Sequence, residues 1–163
     1  MNHFRRSIVA ILLLLAGCAG PNSRVATKLN KDAALIGAIP SDPLHWVAIT
    51  SGAKADDPTM YILFGNALAA QYSRSNPERR YPDGSVLSLV TWQQQEDSRW
   101  FGAKIPAAPK SVEFVSVRVS GEDGPVYSYQ RCEGSPLKET TPVDAEVTDR
   151  IAYVLSQRAA VMP

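Results

Sequence analysis

Few side chains in this 163-residue sequence could do chemistry, and they stand far apart. There are two cysteines, Cys18 and Cys132, and two histidines, of which His3 lies in an apolar leader and His45 does not. An imidazole can serve as a base or a metal ligand near neutral pH, but only with partners. A Ser–His–Asp arrangement could use only His45, and no serine is marked out to pair with it. A metal centre needs several convergent His, Cys or carboxylate ligands. One histidine and one thiol leave only oxygen-rich sites. The acid pairs Asp56-Asp57, Glu96-Asp97 and Glu122-Asp123 are adjacent rather than spaced, so they lack the ligand pattern of a calcium loop. They read as hydrated loop charge. No Gly-x-Ser-x-Gly motif and no phosphate loop is present. No catalytic residue and no metal site are expected, which points away from an enzyme.

The amino terminus carries a more specific signal. Arg5 and Arg6 precede an apolar run, Ile8 to Ala16, too short to span a bilayer, and small residues follow. This is the pattern of a secretory signal peptide. Its end, Leu15-Ala16-Gly17-Cys18, resembles the bacterial lipobox, in which cleavage leaves the cysteine as an acylated first residue. Residues 1–17 are then the signal peptide, 18–29 a lipidated tether and 30–163 the folded domain. Several acyl chains hold a protein durably at a membrane surface. Ala19, a residue other than aspartate, implies by the same resemblance the outer membrane, with the domain facing the periplasm. Loss of the leader lowers the basic count from 17 to 15 against 16 acids. A near-neutral chain has no field to draw nucleic acid. With Cys18 acylated, Cys132 is left without an intramolecular disulfide partner. It reads either as a small apolar residue or as a redox or intermolecular thiol.

These residues need a scaffold, and the patterning describes one. Leu29 to Ile39 has helical spacing, stopped by Pro40 and Pro43. His45 to Ser51 and Thr59 to Phe64 read as strands. Asn66 then caps a helix over Ala67 to Arg74; the competing reading is one amphipathic helix from Met60 to Arg74. Tyr81-Pro82-Asp83-Gly84 is turn chemistry, with proline at the second position and glycine where φ turns positive. Ser85 to Trp92 and Ser111 to Val119 are strands, the second buried on both faces for part of its length. Between them, Gln93 to Arg99 is too polar for core, and Pro106 and Pro109 make Ala103 to Lys110 a loop. The insert Gly121 to Gly124 connects to a strand from Val126 to Arg131. Thr141-Pro142 opens a helix whose stripe is Val143, Val147, Ile151 and Leu155. The class is α+β: an antiparallel sheet of about five strands packed against amino- and carboxy-terminal helices.

Gly65-Asn66-x-x-Ala69, Tyr81-Pro82-Asp83-Gly84-Ser85-Val86, Trp92 and Trp100-Phe101-Gly102, in that order and spacing, resemble the cytochrome P-460 family, relatives of cytochrome c′-beta. The likeness runs from about Trp46 to the carboxy terminus. It implies an exported antiparallel sheet packed on helices. In the haem-bearing members it also implies a c-type haem used to oxidise hydroxylamine or bind nitric oxide. Those members attach haem through Cys-x-x-Cys-His, two thioethers and an axial imidazole. The counterpart here is Cys132-Glu133-Gly134-Ser135-Pro136, with serine for the second thiol and proline for the ligand. Covalent haem c is therefore not expected. Tyr81, Trp92, Trp100 and Phe101 either line the pocket that haem fills in those relatives or serve as plain core.

The leading expectation is a lipid-anchored envelope protein with a haem-free P-460-like domain. Its partners are the membrane, through the acyl anchor, and either a small ligand or an envelope protein, with no cofactor. The alternative is an oxidoreductase or nitric-oxide-binding cytochrome whose haem is held without thioethers, using His45 as ligand.

Overall fold

The computed structural model describes residues 30–54, 56–75, 80–119 and 124–160. The leader and the whole tether, Cys18 included, lie outside the described residues, as do the acids Glu122 and Asp123. Six strands and two helices follow in the order β1 (Val47–Ala53), β2 (Thr59–Gly65), α1 (Ala67–Ser75), β3 (Val86–Glu96), β4 (Lys104–Val119), β5 (Pro125–Glu133), β6 (Lys138–Thr140) and α2 (Asp144–Ser156). All six strands form one antiparallel sheet in sequence order, β1 through β6, a simple meander. The class is the expected one, α+β, with six strands where about five were expected.

β4 is the middle of the sheet in burial as well as in order. From Ser111 to Val115 every residue is buried, and so is Val117. Alternation sends Val112 and Phe114 to one face and Val115 and Val117 to the other. Each face therefore needs a cover. On one side α1 and α2 supply it: Ala69, Ala70 and Val154 pack with Ile49, Leu63, Tyr81, Leu87, Leu89, Val115 and Val117. Asn66 starts α1 as its spacing suggests, its Oδ1 accepting from the Ala69 N–H at 2.9 Å. Its Nδ2 donates to the Gly84 carbonyl at 2.9 Å, which ties the helix to the turn before β3. In that turn the Ser85 N–H bonds the Pro82 carbonyl, so Asp83 and Gly84, rather than Pro82, are its central residues. Gly84 takes φ +80°.

The other face is covered by an irregular strap, residues 30–46, and not by the expected helix over Leu29 to Ile39. Within residues 30–39 only Lys31–Ala33 makes a 3-10 turn. Long-range bonds hold the strap instead. Asn30 Nδ2 donates to the Pro106 carbonyl at 2.6 Å, and Trp92 Nε1 donates to the Ala33 carbonyl at 2.9 Å. The Leu137 N–H bonds the Ile36 carbonyl, and the Ala38 N–H bonds the Leu137 carbonyl. Ala33, Leu35, Ile39 and Trp46 then close over Phe64, Val90, Trp92, Val112, Phe114, Cys132 and Leu137.

Two further boundaries differ from expectation. Lys104 to Lys110 is strand rather than loop, and with Gln93 to Glu96, which is strand but not core, it extends β3 and β4 into a long hairpin. β5 pairs β4 only from Ser111 onward, so the segment holding Pro106 and Pro109 is a free edge. An edge with register shifts tolerates residues that cannot donate a ladder bond, and the register slips on either side of Trp92. α2 begins at Asp144, with Val143 as its uncapped N-cap, rather than at Thr141-Pro142. Val143 is exposed and Val154 carries the buried contact. Past α2, the Ala160 N–H bonds the Ile49 carbonyl on the outer edge of β1, where the register slips.

Gly37 marks the tightest point of the strap. It sits at φ +145°, and a Cβ there would lie 2.2 Å from the Leu137 carbonyl oxygen. Gly37→Ala is expected to destabilise the fold by about 3 kcal/mol, since backbone must move to admit the methyl. Gly102, at φ +76° with open space around it, provides the control: Gly102→Ala meets only conformational strain, about 1 kcal/mol. Urea unfolding followed by circular dichroism measures both.

Candidate functional site

The structure separates the residues that the sequence singles out. Tyr81 is buried on the helix side of the sheet, beside Tyr72 with ring centroids 5.4 Å apart. Trp92 is buried on the strap side. Trp100 and Phe101 sit in neither core; they occupy the turn joining β3 to β4, Trp100 69% exposed and Phe101 fully so. These four aromatics share no pocket. His45 ends a 3-10 turn, Pro43–His45, rather than lying in a strand. Its side chain is 86% exposed, with Nε2 3.7 Å from Asp42 Oδ2.

Cys132 is fully buried in β5, its thiol 3.6 Å from the Ala38 carbonyl of the strap. Burial, and secondarily Glu139, pushes the thiol above its ordinary range, so little thiolate forms near neutrality. The chain then turns through Gly134, at φ +91°, and a cis Ser135-Pro136 peptide to Leu137, which packs into the same cluster. The space that a covalent porphyrin would need beside Cys132 is filled by Val112, Phe114, Leu137 and the strap. The residues present do not fit a c-type haem. The His45 side chain is on the surface and takes no part in the Cys132 cluster.

Among the described residues of the acid pairs, three acids meet cations. Asp57 lies 3.1 Å from Lys110, Glu96 2.9 Å from Lys104 and Asp97 3.3 Å from Arg99. Among the described residues no three His, Cys, Asp or Glu side chains gather as a metal-binding group.

The densest polar cluster is one that spacing did not single out. Glu113, in the middle of β4, is 2% exposed and points to the helix side. Arg150 of α2 grips it with both ends of the guanidinium, Nε to Oε2 at 2.8 Å and Nη2 to Oε1 at 2.7 Å. The Tyr129 hydroxyl donates to Oε2 at 2.6 Å. Arg150 also lies 4.7 Å from the Tyr153 ring centroid. A carboxylate buried alone would cost several kcal/mol; a bidentate guanidinium and a phenol satisfy its lone pairs. Burial, and then Glu113, push the Tyr129 hydroxyl far above its usual value. The hydrogen bond to Glu113 raises Arg150 as well. This is a clamp fastening α2 to the sheet, and its oxygens are already taken. The one sequence signal for it was a lone acid inside the apolar run from Ser111 to Val119.

Two grooves among the described residues are open to solvent. One of about 200 Å³ lies on the strap side of β4 and β5, lined by Phe114, Ser116, Ser128 and Gln130. The other, about 440 Å³, runs between the strap and the base of the hairpin, past Ile36, Gln93, Gln95 and Ala107. Neither is an enclosed cavity. The hairpin projects past the second groove to Trp100 and Phe101; among the described residues no large hydrophobic side chain is more exposed than these two.

Comparison with known proteins adds no relative: no family model matches the chain, and no curated protein matches it. Among the described residues no helix is long and apolar enough to cross a membrane.

The clamp makes two measurable demands. Arg150→Met strands the Glu113 carboxylate and is expected to cost about 3 kcal/mol, whereas Glu113→Leu with Arg150→Met recovers most of it. The raised Tyr129 hydroxyl contributes stability that is whole below the ordinary phenol range and fades as pH climbs above about 10. Tyr129→Phe is expected to flatten that alkaline limb in urea titrations run across pH.

Proposed function

We propose that this chain is a lipid-anchored protein of the bacterial cell envelope, held at the outer membrane and facing the periplasm, with a cytochrome P-460-like domain that binds through its surface and carries no covalent haem. The observation that carries this reading is the contrast between the packed surroundings of Cys132 and an uncovered aromatic tip. Around Cys132 the space is packed with Val112, Phe114 and Leu137. Trp100 and Phe101, by contrast, stand in water at the end of a hairpin. A domain evolved only to pack would bury two such rings, because each is worth roughly 2 kcal/mol in a core. Exposed apolar groups on a projecting element are the usual mark of a contact surface. The lipobox-like Leu15-Ala16-Gly17-Cys18 supports the anchor, and the order of turn and aromatic motifs supports the P-460-like build.

The haem-bearing alternative has less behind it. His45 is solvated beside Asp42, and an iron ligand ordinarily donates its second ring nitrogen to an ordered partner inside a covered pocket.

One expression experiment tests both. The full chain is produced in haem-supplied cells of a two-membrane bacterium, and envelope fractions are separated. The expected result is an outer-membrane protein that needs detergent for release, has an acyl mass on Cys18 and shows no Soret band. Cys18→Ala is expected to abolish the acyl mass. An unacylated wild-type chain, or a Soret band lost in His45→Ala, overturns the proposal.

A further inference from the structure

We infer that the β3–β4 hairpin tip is a membrane-contact element: Trp100 and Phe101 enter the interfacial layer of the same bilayer that holds the acyl anchor, setting the orientation of the domain. This rests on the lipid-anchored reading above.

Three observations favour a bilayer as the occupant. The first is where the tether meets the domain. Asn30, the first described residue, is bonded to the Pro106 carbonyl, and Pro106 pairs with Gln94 at the base of the same hairpin. The tether therefore leaves the domain at the hairpin end of the sheet. Twelve residue-to-residue steps lead from Cys18 to Asn30, a reach of about 40 Å at full extension. From Pro106 to Phe101 the hairpin extends at most about 17 Å. The tip thus lies well inside the tether's reach of the surface, where the anchor gives it a high effective concentration.

The second is the kind of side chain exposed. Tryptophan and phenylalanine carry large apolar area with few rotamers to freeze, and tryptophan settles at the boundary between headgroups and acyl chains. Both sit at the apex, in a turn closed by the bonds Trp100 N–H to Asp97 carbonyl and Ala103 N–H to Trp100 carbonyl.

The third is charge. Across residues 96–104 the two acids, Glu96 and Asp97, are matched by Lys104 and Arg99 in ion pairs of 2.9 and 3.3 Å. The tip offers no net charge to a charged protein partner or to anionic lipid. Its contact is apolar and indifferent to headgroup charge. Such a tip is too small to retain the protein by itself, so retention belongs to the acyl chains and orientation to the hairpin.

The test uses the full chain, purified with its anchor and reconstituted in phosphatidylcholine vesicles containing brominated acyl chains. Tryptophan emission reports contact with the bromines. The expected result is strong quenching of the wild type, unchanged when phosphatidylglycerol or salt is added. Quenching is lost in Trp100→Phe, whose remaining Trp46 and Trp92 lie in the fold. Phe101→Asp, at a fully exposed site, is expected to weaken tip contact roughly tenfold while retention on vesicles and the melting temperature stay unchanged. Emission that vesicles leave unaltered, or quenching that survives in Trp100→Phe, overturns the inference. So does a tip that crosslinks in cells to one envelope protein and is not quenched by lipid. The mass of Cys18 is read on the same sample. An unacylated chain defeats the anchor and not the tip: the same quenching is then read with the chain coupled through Cys18 to a maleimide lipid in the vesicles, Cys132 being buried.

Discussion

Between Ser111 and Val117 the chain has almost no surface to give to water. Val112 and Phe114 press one way, and Glu113, Val115 and Val117 the other. A strand in that position needs a layer on each side, and the two layers here are of different kinds. The helices α1 and α2 bring their own backbone bonding, so they cover the sheet with side chains alone. The strap has no regular bonding of its own. It borrows partners from the sheet: the Trp92 indole, the backbone of Leu137 and the carbonyl of Pro106. Buried backbone groups must be paired somewhere, and this need fixes the strap's path more tightly than its own sequence does.

Glu113 is the exception inside this apolar middle. A valine in its place would remove the desolvation cost and the need for Arg150 altogether. What the carboxylate adds is direction: the guanidinium grips both its oxygens, and only one rotation and one axial position of α2 allow that. Apolar contacts of Val154 and Ile151 would tolerate sliding. The pair therefore selects one docking of the helix, at some cost in stability.

Much of the sheet was legible because its signals are local. Thr59 to Phe64 is β-branched and aromatic, Asn66 stands where an amide can cap, and Gly84 supplies a positive φ. The strap was not legible, because nothing within Leu29 to Ile39 tells that Trp92 and Leu137, far along the chain, will complete its bonding. Leu29, Ala33 and Ile36 happen to fit a helical spacing, and tertiary bonding overrides it. Pro106 and Pro109 misled for a related reason: their missing donors matter only where a neighbour needs them, and β5 ends before it reaches them. For the candidate site, composition correctly separated Trp100 and Phe101 from the polar residues before them, yet could not say that they would share nothing with Tyr81 and Trp92. Only the path of the hairpin, extended through residues too polar for core, carries them away from both interiors.

The two outer margins of the sheet are finished differently from its middle. β6 is three residues long and bears Lys138 and Glu139, a margin too brief and too charged to recruit another chain. β1 is longer, and there the register slips at Ile49 while the Ala160 amide occupies the Ile49 carbonyl. The tail thus acts as a stopper against strand-by-strand fusion of neighbouring copies. Trimming the chain back to the end of α2 would bare the Ile49 carbonyl and open that margin to another strand.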